Sequence, residues 1–329
     1  MKTIRWGILG CGSVTEVKSG PGFQRADHSD LVAVMRRDGE LARDYAIRHQ
    51  VPKWYHQASD LINDPDVDAI YIATPPAFHH PYALQAAKAG KPVYVEKPMA
   101  MNHQECVSMI NACADASVPL FVAYYRRALP RFLKIRELLD NRAIGDVRCM
   151  TVRYSQPCLQ PKEGSDGLPW RVQPELSGGG LFLDVGSHTL DILDFLLGPI
   201  REVRGTAANQ AQAYPADDLV SAQFVFDSGV HGTGVWCFSA FERQDENEIV
   251  GSEGKIIFST FGDEPIILIR ATETVEFPIA NPRHIQQPLI QTIVNELNGG
   301  PPCPSRGESA ARTSWVIDQC IRNYYGAVK

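Results

Sequence analysis

Residues 1–125 alternate short apolar runs with amphipathic stretches, and this alternation limits the possible folds more than any other feature of the chain. Continuous apolar runs are typical of strands buried on both faces, as in parallel sheets covered by crossover helices. The predicted strands are Ile4–Leu9, Leu31–Met35, Ala69–Ala73, Val93–Glu96 and Leu120–Ala123. The predicted helices are Val14–Arg25, Gly39–His49, Ala58–Asn63, His80–Ala89 and Gln104–Ala116. We therefore predict an N-terminal α/β domain with a doubly wound parallel sheet.

The pattern changes after Tyr125, where strands follow one another with few helices between them. Strands in succession indicate a largely antiparallel sheet. The predicted strands are Val147–Tyr154, Glu202–Ala208, Leu219–Phe226, Gly232–Phe238, Glu246–Val250, Lys255–Ser259, Ile266–Ile269 and Thr274–Phe277. The predicted helices are Leu129–Asn141, Phe182–Leu197, His284–Leu297 and Gly307–Tyr325, with a Pro- and Gly-rich stretch at Pro157–Gly180.

We predict two domains, 1–125 and 126–329, because the 329 residues exceed the roughly 250 to 300 that one core supports. The second is expected to be an α+β domain with a large, mostly antiparallel open sheet. The final helix packs either within it or where the domains meet. The net charge of −6 argues against nucleic acid or a membrane as a partner. Eight cysteines without a Cys-x-x-Cys pair predict free thiols in the cytoplasm.

A glycine turn joins the first predicted strand to the first predicted helix. Gly10 permits a tight turn, and Gly12 allows the backbone to approach a pyrophosphate. Ser13 and Val14 then open a helix, whose first N–H groups attract an anion. Thr15 departs from the pattern, because a third Gly or Ala is usual at this position. The turn therefore predicts a Rossmann dinucleotide site, and a purely structural glycine turn is the alternative.

Two arginines follow the second predicted strand, where a protein that binds NAD usually carries Asp or Glu. Arg36 occupies that position and Arg37 adjoins it. A guanidinium pairs with phosphate oxygens but cannot accept a hydrogen bond from a ribose hydroxyl. We therefore expect NADP(H) to be preferred and NAD(H) to remain possible. The alternatives are solvated loop arginines and an inward-turned Asp38.

Two further segments end predicted strands at the edge where open parallel sheets bind ligands. The first is Thr74, Pro75 and Pro76. The second is Lys97, which is followed by Pro98. A lysine that only covers surface is unusual at this position, so Lys97 is a candidate site residue.

These segments resemble the glucose–fructose oxidoreductase / inositol dehydrogenase / MocA (Gfo/Idh/MocA) family. The resemblance rests on Asp66–His79, on the Glu-Lys-Pro element Glu96–Pro98, and on Gly178–His188 followed by Asp191, in the same order and spacing. It implies a cis Lys97–Pro98 bond and an oligomer, a homodimer or homotetramer, formed through the second sheet. It also places further residues near the cofactor, namely His79, Glu96, Lys97, Tyr125 and Arg126.

Asp184 and His188 are four residues apart, so on a helix they share one face. A carboxylate beside an imidazole fixes its tautomer and suits it to acid–base chemistry. One alternative is a helix-start Asp with an unrelated His. The other is a metal site completed by Asp191 or Asp194; we expect no metal.

Trp170 and Arg171 precede the triple glycine, in a region that lines the substrate site in the family. An aromatic face and a guanidinium suit a polyhydroxylated ring. A buried Trp with a solvated Arg is the alternative. Tyr125 is a further substrate candidate, and His284 is the weakest.

The predicted function is hydride transfer between nicotinamide C4 and a carbinol or carbonyl carbon of a sugar, cyclitol or related polyol. Lys97, Asp184 and His188 are the predicted catalytic residues; which of Lys97 and His188 is the main proton carrier stays open. The alternatives are a trans-dihydrodiol or aldose dehydrogenase of the same family, and a non-catalytic dinucleotide-binding regulator.

Overall fold

The computed structural model describes residues 1–159 and 167–326. The chain divides into two compact units, the first made of Met1–Leu129 and Pro282–Ala311 and the second of Pro130–Asn281 and Arg312–Lys329. Part of the predicted Pro- and Gly-rich stretch, residues 160–166, lies outside the described residues.

The first unit contains a parallel sheet of six strands in the order β3-β2-β1-β4-β5-β6. Their bounds are Ile4–Leu9 (β1), Ser29–Met35 (β2), Lys53–Tyr55 (β3), Ala69–Ile72 (β4), Val93–Val95 (β5) and Leu120–Val122 (β6). The predicted doubly wound sheet is confirmed, with the additional short strand β3. Strand order reverses between β1 and β4, and ligands bind beyond the carboxyl ends of the strands at such a point.

The helices of the first unit fill the connections between strands. Their bounds are Gly20–Arg25 (α1), Gly39–Arg48 (α2), Ala58–Ile62 (α3), His79–Lys88 (α4) and His103–Asp115 (α5). A π-helical turn, Thr15–Ser19, precedes α1. Strands β4 and β5 are buried along their whole length, as their continuous apolar sequences predict.

The segment Pro282–Ala311 packs on the first unit, although the domain prediction counted it with the second. It contains a helix, Gln287–Leu297, that we number α9 in chain order. The amide of Gln287 donates to the Arg25 carbonyl oxygen at 3.2 Å, and the Asp27 N–H donates to the Gln291 side chain at 2.7 Å. These bonds join residues more than 260 positions apart, which local sequence patterns do not detect.

The second unit contains an eight-stranded sheet in the order β14-β13-β12-β11-β7-β10-β9-β8. The bounds are Val147–Ser155 (β7), Ile200–Ala208 (β8), Leu219–Phe226 (β9), His231–Cys237 (β10), Gln244–Gly251 (β11), Gly254–Phe258 (β12), Ile266–Arg270 (β13) and Glu273–Phe277 (β14). Only the β7–β10 pair is parallel; the other neighbours are antiparallel. The predicted mostly antiparallel sheet is confirmed.

Helical segments pack on one face of this sheet. The helices of the second unit are Pro130–Asp140 (α6), Pro174–Ser177 (α7), Ser187–Leu197 (α8) and the part from Arg312 onward of Gly307–Tyr325 (α10). Phe182, just before α8, packs against Trp236 of β10 with ring centroids 5.0 Å apart. The Asn323 side chain of α10 accepts a hydrogen bond from the Ala207 N–H at 2.8 Å. Along β10 the alternate residues His231, Thr233 and Val235 are exposed, so the opposite face is open.

Among the helices of the described residues, none combines the length and the apolar character that a membrane span requires.

Candidate active site

The glycine turn follows β1 at the carboxyl edge of the first sheet. Gly10 has a φ of 90°, a conformation that favours glycine. A Cβ on Gly10 would lie 2.8 Å from the Thr74 methyl carbon, so the turns after β1 and β4 are in direct contact. A Cβ on Gly12 would meet only the Gly10 carbonyl oxygen, at 3.9 Å. The space beside Gly12 is therefore open, as the approach of a pyrophosphate requires.

Thr15 explains the departure from the usual third glycine. Its side chain is fully buried. Its hydroxyl accepts from the Gly12 N–H at 3.0 Å and donates to the Gly12 carbonyl oxygen at 2.9 Å. The two hydrogen bonds of Thr15 therefore hold the glycine turn in one conformation, whereas a glycine at this position would have no side chain to do so. Ser13 and Val14 lie in the first helical turn, where N–H groups have no intrahelical acceptor.

Arg36 and Arg37 are exposed directly after β2. The Arg37 guanidinium lies over the Phe78 ring, 5.1 Å from its centroid. Burial raises the pKa of the Cys11 thiol to about 11, and the positive charge of Arg36 acts to lower it; Arg36 therefore lies within electrostatic range of the glycine turn. Asp38 does not turn inward, because its carboxylate caps α2 by accepting from the Leu41 N–H at 3.1 Å.

The turn after β4 is tied to the segment after β5 by a buried histidine. His79 Nε2 lies 2.7 Å from the Thr74 carbonyl oxygen, and His79 Nδ1 lies 3.0 Å from the Pro98 carbonyl oxygen. Burial lowers the pKa of His79, although both hydrogen bonds oppose this effect. Pro75 and Pro76 follow Thr74, and Pro76 opens a short 3₁₀ turn. The Thr74 hydroxyl oxygen is buried without a hydrogen-bond partner among the described residues. An orphaned donor beside the open space at Gly12 fits a polar ligand such as a dinucleotide.

Lys97 lies two residues after the end of β5, at this same edge, and is half-buried. The Lys97–Pro98 bond is cis, as the family resemblance implied. Glu96 is buried, and its Oε2 accepts from the Lys97 N–H at 3.1 Å.

Tyr125 and Arg126 follow β6 in a short 3₁₀ turn and are both buried. The Arg126 guanidinium lies 5.0 Å from the centroid of the Tyr125 ring. Burial raises the pKa of Tyr125, but the positive charges of Arg126, Lys18 and Lys97 outweigh it, so the pKa is lowered overall. A concentration of positive charge therefore surrounds this hydroxyl, next to Lys97.

Asp184 belongs to the second unit, in a π-helical turn at Phe182–Gly186. Its Oδ2 accepts from Arg171 Nε at 3.0 Å. The Arg171 guanidinium also lies over the Trp170 ring, 4.5 Å from its centroid. The Asp184 side chain is 17% exposed and that of Arg171 is 43% exposed. The three predicted residues therefore form one cluster, in which stacking and an ion pair fix an accessible guanidinium.

His188 lies one turn later, in α8, and is 6% exposed. Its ring packs edge-on against the Phe261 ring, with centroids 5.7 Å apart. Phe261 is placed by Asp245, whose Oδ2 accepts from the Phe261 N–H at 2.6 Å and whose Oδ1 accepts from the Thr260 N–H at 3.0 Å. An apolar ring thus limits the movement of the imidazole.

A buried aspartate, Asp217, holds the triple glycine that precedes Asp184. Its Oδ1 accepts from the Gly180 N–H at 3.0 Å and from the Tyr325 hydroxyl at 2.7 Å. Burial raises the pKa of Asp217, against the opposing effect of these hydrogen bonds. The position of the turn before Asp184 thus depends on the last turn of α10.

Asp217, Asp245 and Phe261 were not predicted from the sequence. No motif marks them, because each contacts residues 15 or more positions away. Asp194 pairs with Arg312, with two nitrogen–oxygen distances of 2.8 Å. No cluster of three or more His, Cys, Asp or Glu side chains able to hold a metal occurs among the described residues. His284, the weakest candidate, places its Nδ1 3.4 Å from the Val17 carbonyl oxygen.

Family models match both parts of the chain. Residues 4–124 match the oxidoreductase family with an NAD-binding Rossmann fold, and residues 132–257 match the GFO/IDH/MocA C-terminal domain. Oxidoreductase P35 of Formosa agariphila is 39% identical over 96% of this chain and 97% of its own. Trans-1,2-dihydrobenzene-1,2-diol dehydrogenase of Mus musculus is 31% identical over 90% of this chain and 84% of its own. The chain therefore belongs to the Gfo/Idh/MocA family, and it is an NAD(P)-dependent oxidoreductase.

A solved structure shows the same fold. It is the aldose-aldose oxidoreductase from Caulobacter crescentus, complexed with glycerol, which covers 99% of this chain and 98% of its own. The TM-score is 0.85 and the sequence identity is 24%.

The triple glycine provides a matched test of the Asp217 anchor. A Cβ on Gly180 would lie 2.5 Å from the Asp217 carbonyl oxygen, whereas one on Gly179 would meet nothing closer than 3.7 Å. We expect Gly180→Ala to destabilise the protein by about 1–3 kcal/mol. Gly179→Ala should change the stability by less than ~1 kcal/mol. Thermal unfolding of both variants measures this difference, and equal melting temperatures would contradict the anchor.

Proposed function

We propose that the chain catalyses reversible hydride transfer between nicotinamide C4 and a carbinol carbon of a sugar, cyclitol or related polyol. The observation that carries this proposal is the position of Lys97 just after β5, on the sheet edge that also bears the glycine turn. The bound nicotinamide supplies or accepts the hydride. The protein must then hold the substrate hydroxyl, move one proton and stabilise charge on that oxygen.

Lys97 and His188 are the residues proposed for proton transfer. An ammonium group donates hydrogen bonds to an oxygen that becomes negative, and it stabilises that charge. An imidazole accepts the hydroxyl proton when the alcohol is oxidised and returns it in the reverse reaction. Asp184 is proposed to orient the His188 imidazole. Its ion pair with Arg171 supports this role, because it fixes the position of the carboxylate.

The substrate is proposed to be a polyhydroxylated ring held by Trp170 and Arg171. The stacked pair offers an aromatic face and guanidinium donors that remain accessible. Tyr125 is a further substrate contact in this proposal. The similarity to the dihydrodiol dehydrogenase favours a trans-dihydrodiol as a second candidate substrate. Screening both classes with a fixed cofactor distinguishes these candidates.

The catalytic assignment predicts large losses of hydride transfer in two variants. We expect His188→Asn and Lys97→Met each to reduce single-turnover oxidation by roughly a hundredfold or more, because each removes a proton-transfer group. The change in nicotinamide absorbance after rapid mixing measures the rate. His28→Asn is the matched control, since His28 is exposed, has a φ of 56° that asparagine also adopts, and is assigned to neither the proposed site nor the proposed interface. A near-normal rate in His188→Asn or in Lys97→Met would refute the assignment of that residue.

NADP(H) is proposed as the preferred cofactor, with Arg36 and Arg37 on the 2′-phosphate. Further contacts are proposed from the residues of the glycine turn and of the strand ends, namely Gly10, Gly12, Ser13, Val14, Thr74, Pro75, Pro76, His79, Glu96, Lys97, Tyr125 and Arg126. The support for the phosphate site is the exposure of both arginines and the electrostatic range of Arg36 to the glycine turn. One carboxylate oxygen of Asp38 is also engaged in capping α2.

We expect Arg36→Ala to weaken NADP(H) binding by about tenfold, because a charge-assisted bond to phosphate is lost. NAD(H) binding should change by less than about threefold, since NAD(H) lacks that phosphate. Fluorescence titration of the reduced cofactors measures both constants. Arg43→Ala, which removes an exposed arginine of α2, serves as the control. Binding of NAD(H) ten times tighter than NADP(H) by the parent protein would contradict the proposal.

A cytoplasmic homodimer or homotetramer is proposed, formed through the open face of the second sheet. The face between β8 and β7 carries short uncharged side chains such as Thr206, Ser221 and Thr233, together with Arg153 and Arg204, and Val235 is 45% exposed there. Eight free thiols support the cytoplasmic location.

Charge on this face should separate the subunits. We expect Val235→Arg to yield monomers, because a desolvated unpaired charge opposes association. Sedimentation velocity gives the mass of each variant. Leu133→Arg introduces the same charge at an exposed position of α6 and should leave the assembly intact. A monomeric parent protein would exclude the proposed assembly.

A further inference from the structure

Glu96 is a buried carboxylate directly before Lys97, and the proposed reaction gives it no role beyond contact with the cofactor. The residue is 7% exposed. Its Oε1 accepts from the Tyr71 hydroxyl at 2.6 Å and from Gln286 Nε2 at 2.7 Å. Its Oε2 accepts from the Lys97 N–H at 3.1 Å. Three donors from three separate parts of the chain therefore converge on one side chain, and we call Glu96, Tyr71 and Gln286 the Glu96 cluster.

The hydrogen-bond pattern indicates an ionised carboxylate. The Lys97 N–H and Gln286 Nε2 can only donate, one to each oxygen of Glu96, so both oxygens accept. The Tyr71 hydroxyl lies 2.6 Å from Glu96 Oε1 and 3.5 Å from Gln286 Oε1. The shorter contact has the length that is typical of a hydroxyl donating to a carboxylate. Gln286 is fully buried. The Tyr94 hydroxyl donates to Gln286 Oε1 at 3.2 Å. This bond leaves the amide nitrogen of Gln286 facing Glu96 and so fixes which end of the amide the carboxylate meets.

The cluster holds this charge without an ion pair among the described residues. A buried charge is costly unless hydrogen bonds compensate it. Burial, followed by the negative charge of Glu96, raises the pKa of Tyr71 well above its ordinary value, so its hydroxyl stays a donor. Burial and Glu96 raise the pKa of Tyr94 in the same way. The protein therefore maintains a fixed negative charge one residue from Lys97.

The negative charge of Glu96 also affects the pKa values of other titratable groups. Glu96 acts to raise the pKa of Tyr125, against the lowering effects of Arg126, Lys18 and Lys97. It also acts to raise the pKa of His79, although burial keeps that pKa low.

We propose that Tyr71 and Gln286 are positioning residues that hold Glu96 ionised, so that Glu96 fixes the backbone N–H of Lys97 and keeps a negative charge one residue away from it. The proposal rests on the catalytic role of Lys97 given above. Neither Tyr71 nor Gln286 touches the reacting atoms. They act through Glu96. Because Gln286 belongs to the segment Pro282–Ala311, this segment of the first unit also helps to position Lys97.

The first test measures the charge of Glu96 without any reaction. Tyrosine labelled with ¹³C at Cζ reports hydroxyl ionisation by NMR, and Tyr125→Phe identifies the Tyr125 signal. If Glu96 is ionised, Glu96→Gln removes a negative charge and lowers the pKa of Tyr125 further, by about half a unit to one unit. An unchanged Tyr125 titration would mean that Glu96 is neutral in the parent, and it would overturn the proposal.

The second test measures how the cluster acts on Lys97. We expect Glu96→Gln and Tyr71→Phe to lower kcat about tenfold or more, with little change in KM. The kcat pH profile should move to lower pH in Glu96→Gln, because a nearby negative charge favours the protonated form of titratable groups in the site and that charge is gone. Tyr55→Phe is the matched control. It removes a tyrosine hydroxyl that donates to a different carboxylate of the first unit, Asp64, at 2.9 Å, and Tyr55 contacts no member of the Glu96 cluster through that hydroxyl. Unmoved profiles in both cluster variants would overturn the proposal.

A double variant that exchanges the two residues distinguishes the effect of where the charge lies from the effect of packing in the Glu96 cluster. Glu96→Gln combined with Gln286→Glu keeps one carboxylate and one amide in the cluster, but it moves the charge away from residue 96. We expect its melting temperature to recover relative to Glu96→Gln, while the pH profile stays displaced. Full recovery of the profile would show that the place of the charge is irrelevant and would refute the proposal. A failure of the proposed function can be told apart from a failure of this proposal. If Lys97 is not catalytic, Lys97→Met stays active, and this result does not depend on the titration of Tyr125 in Glu96→Gln.

Discussion

Burial of the first sheet on both faces is the constraint on which the first unit depends. Strands β4 and β5 have no exposed residue, so polar chemistry is confined to the strand ends. The glycine turn, Thr74 and Lys97 all stand at that edge. Their positions follow from the order β3-β2-β1-β4-β5-β6, which places β1 beside β4 and β4 beside β5. The buried histidine His79 then ties the two later turns together.

In the second unit, side chains rather than strand ends position the candidate residues. Asp184 and His188 lie on a helical segment that follows the triple glycine. Asp217 and Tyr325 restrain that turn, and Asp245 places Phe261 against His188. In both units a buried acceptor-rich carboxylate organises backbone N–H groups near a candidate catalytic residue: Glu96 for Lys97, and Asp217 for the turn before Asp184. Loss of such a carboxylate leaves several donors unsatisfied at once, which makes these positions sensitive to substitution.

Most elements could be predicted because their hydrophobic periodicity is local. Strands β1 and β9 and helix α10 have the predicted bounds, and the other predicted strands agree to within two residues. Strand β3 was missed because its three residues are too short for a periodic pattern and only partly buried. The inclusion of Pro282–Ala311 in the first unit was also missed. It depends on bonds such as that from Gln286 to Glu96, which link residues 190 positions apart.

The sequence by itself determined the fold class, the family and the identity of Lys97, Asp184 and His188 as candidates, because apolar period and motif spacing are local properties of the chain. The tertiary structure decided the partners of these residues. It pairs Asp184 with Arg171, turns Asp38 to the cap of α2, and closes the glycine turn with the hydroxyl of Thr15. It also surrounds Glu96 with Tyr71 and Gln286. Each of these is a contact that depends on the direction of a side chain after the chain has folded, which spacing alone does not specify.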